Sequence, residues 1–188
     1  NRQRHAGPCV KPQAPRVATG IEDRAARDSG LLIIAEDDGK VVYVDASKII
    51  VRTGRHDREY TLVTFSRSNQ VTVLHHMPLV KTGERVLKGQ ILADNSSTRG
   101  GELALGQNIL VAFLSWGGAT FEDAIIISER LAKDDRFTSI HIEEFILDVR
   151  DTKLGEEVTT HDIPNVGEEK LKDLDEDGII RIGAEIRA

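Results

Sequence analysis

The sequence is poor in the residues that mark several common protein classes. Cys9 is the one cysteine among 188 residues, so there is no internal disulfide, Cys-x-x-Cys metal knuckle or redox pair. A reducing compartment fits that usage. Aromatic residues make up 4% of the chain, and none stands within Asn1-Arg2-Gln3-Arg4-His5, which leaves base stacking little support there. No unbroken apolar stretch approaches the roughly 18 to 20 residues that a membrane-crossing helix needs. With 30% charged residues the chain reads as soluble, with no membrane partner. It carries no Gly-x-Ser-x-Gly elbow and no Walker-type glycine loop ending in Lys-Ser or Lys-Thr. The histidines lack His-x3-His or Glu-x2-His spacing, and His75 and His76, as strand neighbours, would face opposite sides, so a structural zinc site is not expected. A signal segment is also missing, and both ends read as cut from a longer chain.

What is present is a core-forming chain of 39% hydrophobic residues with a net charge of −6. That balance argues against a free-standing nucleic-acid binder, which is usually basic enough to displace phosphate counterions. The distribution is uneven. Residues 1–20 hold Arg2, Arg4, Lys11 and Arg16 and no acid, whereas residues 143–188 hold fourteen acids against six bases. The first end suits a polyanion; the second suits a protein face.

Short β-branched runs separated by Gly, Asp and Asn predict a mainly β chain with a few short helices. Leu31–Ala35 and Val41–Val44, joined through Asp38-Gly39, predict a hairpin, since Asp-Gly between apolar runs is a strong hairpin signal. Further strands are expected at Ile49–Arg52, Tyr60–Phe65, Val71–Leu74, Ile109–Leu114, Ile125–Ile127, Ile140–Val149 and Ile179–Ile182. Ser128 is a suitable N-cap for a helix over Glu129–Asp134, and Asn165 for one over Gly167–Leu174, ended near Gly178. The polar stretch from Arg150 to Val166, broken by Gly155 and Pro164, suggests a boundary and two segments, 1–150 and 151–188.

Glu122-Asp123 follows the turn-like Trp116-Gly117-Gly118-Ala119 and precedes an apolar run. Adjacent carboxylates on a glycine-bearing loop suit Mg²⁺, which is normally held by one or two carboxylates together with substrate phosphates. Thr120-x-x-Asp123 also matches a helix capping box, a purely structural device. In Asn1-Arg2-Gln3-Arg4-His5 the guanidiniums suit phosphate oxygens and the amides suit sugar or base edges, but the composition by itself reads first as a solvated loop. Arg67-Ser68-Asn69-Gln70 reads as a polar turn first and a contact loop second. Val80–Asp94 places two glycines among alternating apolar residues, as in barrel-sandwich domains. A biotin or lipoate carrier is therefore an alternative, but it needs an acceptor lysine at a hairpin tip, and Met77 has no lysine beside it. An independent structural interaction module is a further alternative.

A longer series of strings carries a resemblance. Asn1-x-Gln3-Arg4-x-Ala6-x-Pro8, Val17-x-Thr19-Gly20-x-Glu22, Asp28-Ser29-Gly30, Tyr43-Val44-Asp45-Ala46 and Arg67-Ser68-Asn69-Gln70 occur in order. Gly101 to Asn108, Phe121-Glu122-Asp123-Ala124-Ile125, Ser128-Glu129-Arg130, Arg150 to Gly155 and Asp162 to Val166 continue it. Together they resemble the central part of the β-subunit family of bacterial DNA-directed RNA polymerases, where the hybrid-binding region (1–150 here) runs toward the wall, or flap (151–188). The resemblance implies a partial double-psi β-barrel plus barrel-sandwich-like strands, incomplete without the rest of the subunit. It implies a nucleotidyltransferase that works only in the assembled enzyme, with β-prime and α subunits, a sigma factor, DNA template, RNA product and nucleoside triphosphates as partners. A cytoplasmic, nucleoid-associated location follows from it. Glu122 and Asp123 match an acid pair associated with a second, nucleotide-borne Mg²⁺, directly or through water, while the partner β-prime subunit mainly holds the metal site. Gln3, Arg4 and His5 match the loop lining the RNA–DNA hybrid, and Arg67, Asn69 and Gln70 are a further nucleic-acid contact to test. The chain departs from the family pattern at His5, where glutamine is usual, at Arg2, where methionine is common, and at Gly7, in place of valine. The loop between Val51 and Tyr60 is also shorter than in many relatives.

Overall fold

A computed structural model describes residues 6–54 and 56–186, divided into one unit that ends at Glu143 and a second that begins at Glu144. In the first unit α1 (Glu22–Asp28) precedes β1 (Ile33–Ile34), β2 (Gly39–Val44), β3 (Lys48–Thr53), β4 (His56–Thr61), β5 (Ser66–Arg67) and β6 (Val73–Leu74). Then come β7 (Met77–Pro78), β8 (Arg85–Val86), β9 (Ile91–Asp94), β10 (Thr98–Arg99), β11 (Glu102–Leu103) and α2 (Glu129–Lys133). The architecture is mainly β, in several antiparallel sheets, and the described residues contain no closed barrel.

A four-stranded sheet of order β4-β3-β2-β8 lies with a three-stranded sheet of order β1-β9-β7 around one core. Strand periodicity explains the choice of core residues. Ile49 and Val51 on β3 are fully buried two positions apart, and they meet Val41, Val86, Leu92 and Ala93 from the other strands. A bulge near Val42 shifts the β2–β3 register, pairing Val41 with Val51 but Tyr43 with Ile50. At the β2–β3 turn the Asp45 carboxylate accepts hydrogen bonds from the Ser47 hydroxyl (2.8 Å), the Ser47 N–H (2.7 Å) and the Lys48 N–H (2.7 Å). The Tyr43 hydroxyl donates a fourth at 3.0 Å. These donors, the Ser47 hydroxyl foremost, hold the Asp45 carboxyl at about 2.

The Asp38-Gly39 hairpin does not form. β1 pairs with β9, Ala35 exchanges backbone bonds with Gln90 and Gly89, and β2 pairs instead with β3 and β8. Gly39 serves close approach rather than a turn: a Cβ there would lie 2.5 Å from Val51 Cγ1 and 2.7 Å from the Arg52 carbonyl oxygen. Asp38 accepts the Lys88 N–H at 2.7 Å, tying the strand entrance to the β8–β9 turn. Within Val80–Asp94 the two strands flank the expected turn at Gly89 but join different sheets, β8 beside β2 and β9 between β1 and β7.

Helix α1 was not anticipated from periodicity, yet its sequence supports it. The ion pairs Asp23–Arg27 (3.0 Å) and Arg24–Asp28 (3.2 Å) have helical spacing, and the Glu22 carboxylate accepts from the Thr19 and Gly20 N–H groups. Ser128 caps α2 as expected, accepting the Arg130 N–H at 3.3 Å. In the second unit β12 (Asp151–Thr152) and β13 (Gly155–Glu156) form a hairpin, and α3 spans Glu168–Leu171. The expected Asn165 cap is absent: Gly167 is the N-cap without a side-chain bond, and Asn165 turns the chain at φ +63°. Gly178, at φ +75°, packs against the Thr160 backbone, where a Cβ would come within 2.5 Å.

The runs expected as strands at Ile109–Leu114, Ile125–Ile127 and Ile179–Ile182 join no ladder among the described residues, apart from one isolated bridge between Leu174 and Ile180. Ile140–Val149 contributes a single bridge, His141 to Thr72. A β-branched run becomes a strand only when a neighbour accepts and donates along it.

Candidate functional site

Three features of the first unit carry the candidate residues, one within the part that follows β11 and two bonded to it. The first is a loop. Trp116, Gly117 and Gly118 form a turn closed by the Ala119 N–H to the Trp116 carbonyl at 2.9 Å, with both glycines at positive φ. The Thr120 hydroxyl accepts the Trp116 N–H at 3.1 Å and donates to the Leu114 carbonyl at 3.4 Å. No helix starts here, so Thr120-x-x-Asp123 is not a capping box in this structure; its threonine closes the preceding turn instead. Glu122 and Asp123 then stand exposed in a second turn, closed by the Ala124 N–H to the Phe121 carbonyl at 3.2 Å.

Glu122 adopts φ +55°, a left-handed conformation that a glutamate enters at some cost. Its carboxylate makes no ion pair among the described residues. Nor do three or more His, Cys, Asp or Glu side chains gather as a metal cage among them. Two hard oxygen donors on an exposed turn fit Mg²⁺ that brings its remaining ligands as water and phosphate.

The second feature is the β5–β6 hairpin. Arg67 donates from Nε to the Ile142 carbonyl at 3.1 Å, which anchors it to the following segment. Ser68 bonds Thr72 twice, through its N–H (2.9 Å) and between the hydroxyls (2.7 Å). Asn69 and Gln70 therefore sit at an exposed tip, and their amides make no side-chain hydrogen bond among the described residues. Phe65 (φ +48°) and Val71 (φ +67°) bracket the tip; for a β-branched residue the latter is a backbone outlier. The adjoining histidines are structural. His75 stacks on Phe65 at 4.6 Å, while buried His76 accepts the Val63 N–H at Nδ1 (2.8 Å) and donates from Nε2 to the Leu31 carbonyl (2.9 Å).

The third feature is the arm over residues 6–16. Gln3, Arg4 and His5 lie outside the described residues, but the chain that follows them is strapped down. Gly7 donates to the Leu105 carbonyl (3.2 Å), Val10 to Thr138 (2.8 Å) and Gln13 to Gly106 (3.0 Å). Arg16 reaches the rim of an open groove of about 1140 Å³ lined by Ile109–Leu114, Ala124–Ser128 and Arg130. The acid pair is not part of that lining, although Thr120 and Ala124 on either side of it are. The sequence reading did not find the contacts between residues 13–16 and Asn108, because partners 92 to 95 positions apart leave no spacing signal.

Residues 34–188 match the family model described as RNA polymerase Rpb2, domain 6. The chain is 59% identical over 191 residues to the DNA-directed RNA polymerase subunit beta of Sorangium cellulosum (strain So ce56), covering 100% of this chain and 14% of that protein. It is 56% identical over 195 residues to the subunit of that name from Geotalea daltonii, and 56% over 194 residues to that of Syntrophobacter fumaroxidans, with the same shares. The chain thus spans about 14% of the length of the curated relatives it matches. These matches favour the polymerase reading over a biotin or lipoate carrier.

Proposed function

This chain belongs to the RNA polymerase Rpb2, domain 6 family, and from that premise we propose that it lines the active centre of a DNA-directed RNA polymerase as part of a β subunit. In this reading the whole enzyme extends RNA from nucleoside triphosphates, and the chain contributes residues 1–150 to the hybrid-binding side and residues 151–188 to the start of the wall. The partners are β-prime and α subunits, a sigma factor, the DNA template and the RNA product, in the cytoplasm at the nucleoid. The acidic second unit faces protein rather than nucleic acid.

Glu122 and Asp123 act on a nucleotide-borne Mg²⁺, directly or through its waters. When bound, that ion neutralises the triphosphate and stabilises the departing pyrophosphate. Glu122 and Asp123 are the residues that would hold such an ion at this chain, directly or through water. Arg4, with Gln3 and His5 beside it, lines the RNA–DNA hybrid through phosphate and sugar contacts, which fix position without reading sequence. Arg67, Asn69 and Gln70 supply a second polar contact, with Arg67 steadied by the Ile142 carbonyl.

The observation that carries the assignment of the acid pair is its exposure on a strained turn with the helix-cap alternative unrealised. Asp123→Ala in the complete subunit should slow nucleotide addition most at limiting Mg²⁺, by about tenfold or more, while assembly is retained. Titration of elongation rate against Mg²⁺ checks this; an unchanged half-saturation would remove the pair from the metal's surroundings.

A further inference from the structure

From Asn108 to Arg130 every residue is exposed except Thr120. The neighbours that burial would ordinarily favour, Leu110, Phe113, Phe121 and Ile127, are open to solvent, while a polar side chain is turned in. Hydrogen bonding accounts for the inversion. The Thr120 hydroxyl accepts the Trp116 N–H at 3.1 Å and donates to the Leu114 carbonyl at 3.4 Å, so it holds one backbone donor and one backbone acceptor, four and six positions back. β-branching restricts χ1, which makes the link stiff.

That link matters because backbone pairing supplies none there. Residues 109–114 and 125–127 join no ladder, and no backbone hydrogen bond joins residues 109–116 to residues 120–128 among the described residues. The loop is bonded to itself by two short turns, Trp116 to Ala119 (2.9 Å) and Phe121 to Ala124 (3.2 Å), and Thr120 is the residue between them. Glu122 and Asp123 are the two central residues of the second turn. A single backbone bond closes that turn, and it carries Glu122 at φ +55°, so by itself it is marginal. Fixing the chain at Thr120, two residues before Glu122, removes freedom that would otherwise be lost when the turn closes.

We propose that Thr120 is a positioning residue for the acid pair: by stapling the returning chain to Leu114 and Trp116, its hydroxyl sets the turn from which Glu122 and Asp123 meet the nucleotide-borne Mg²⁺. The inference rests on the reading of the pair as a metal contact. It assigns Thr120 no contact with metal or nucleotide.

The test uses assembled polymerase containing the complete β subunit, and its first readout needs no metal. Thr120→Val keeps the side-chain shape and removes the hydroxyl, whereas Thr120→Ser keeps the hydroxyl. In hydrogen exchange without divalent ions, Thr120→Val should lower the protection of the Trp116 and Ala124 amides about fivefold, the scale of one exposed neutral hydrogen bond, and Thr120→Ser should preserve it. Ala124 is the decisive amide, since the hydroxyl does not bond it. The second readout is elongation rate against Mg²⁺. Thr120→Val should raise the half-saturating Mg²⁺ about threefold, hold the rate at saturating Mg²⁺ within about twofold, and add nothing once Glu122 and Asp123 are both alanine. Unchanged protection at Ala124, equal damage from Thr120→Ser and Thr120→Val, or an effect that persists without the two carboxylates would overturn the positioning role and leave the acid pair standing. If removing both carboxylates leaves the Mg²⁺ dependence unchanged, the reading of the pair fails and the proposal falls with it.

Discussion

Four hydrogen bonds converge on the Asp45 carboxylate at the β2–β3 turn, and all of them are stronger when it is ionised. Its folded-state pKa of about 2 lies below the ordinary 3.8, so the stabilisation is fully present above about pH 4 and is lost as pH falls toward 2. Asp45→Ala should lower the protection of the Ser47 and Lys48 amides, relative to their intrinsic exchange rates, by about tenfold at neutral pH, and the parent's protection at these amides should fall between pH 5 and pH 2; hydrogen exchange of the 40–50 segment, corrected for the intrinsic rate at each pH, reads both. The residue has a structural job although it lies within Tyr43-Val44-Asp45-Ala46, one of the strings that carry the resemblance. Glu122 differs in kind. It makes no comparable set of bonds, and its left-handed backbone serves no hairpin, so the Mg²⁺ dependence of Asp123→Ala is the measurement that speaks for the pair.

Among the elements, the β10–β11 hairpin depends on one buried acid. Asp94, fully buried at the end of β9, accepts from the Gly100 N–H (2.6 Å), the Gly101 N–H (2.9 Å) and the Thr98 hydroxyl (3.2 Å). Three donors satisfy the buried carboxylate, which makes no ion pair among the described residues. The geometry needs Gly101 at φ +84°, where a Cβ would also fall 1.9 Å from Ile91 Cδ1. Gly101→Ala should therefore destabilise the subunit by about 2 kcal/mol, from backbone strain plus overpacking that Ile91 can partly relieve by changing rotamer. A thermal unfolding midpoint several degrees lower checks it; an unchanged midpoint would mean that the hairpin tolerates another backbone path. The hairpin matters beyond itself, since the Ala104 N–H bonds the Ser97 carbonyl at 2.8 Å and the chain continues into Gln107 and Asn108, which bond Lys11, Gln13 and Ala14.

For the molecule as a whole, the contrast is between a closed core and a long apolar run left open. Val41, Ile49, Val51 and Leu92 are fully buried, whereas Leu110, Phe113 and Leu154 are almost wholly exposed. Apolar exposure on that scale is unusual for an isolated soluble domain. The 188-residue chain alone should bind a hydrophobic dye strongly, several times more per mole than it does within assembled polymerase, and should extend no RNA; dye fluorescence and a primer-extension assay check the two claims. Strong extension by the chain alone would defeat the proposal that catalysis needs the assembled enzyme. The sequence by itself determined the mainly β character, the strand at Ile49–Arg52, the Ser128 cap and the family, because these depend on local composition, local hydrogen bonding and residue identity. Tertiary structure alone decided that Asp38-Gly39 opens no hairpin, that Asn165 caps nothing, that Ile109–Leu114 and Ile125–Ile127 pair with no described strand, and that Asn108 clasps an arm more than 90 positions away. Pairing and side-chain bridging between distant segments are set by which surfaces meet once the core has closed, and no window of neighbouring residues holds that information.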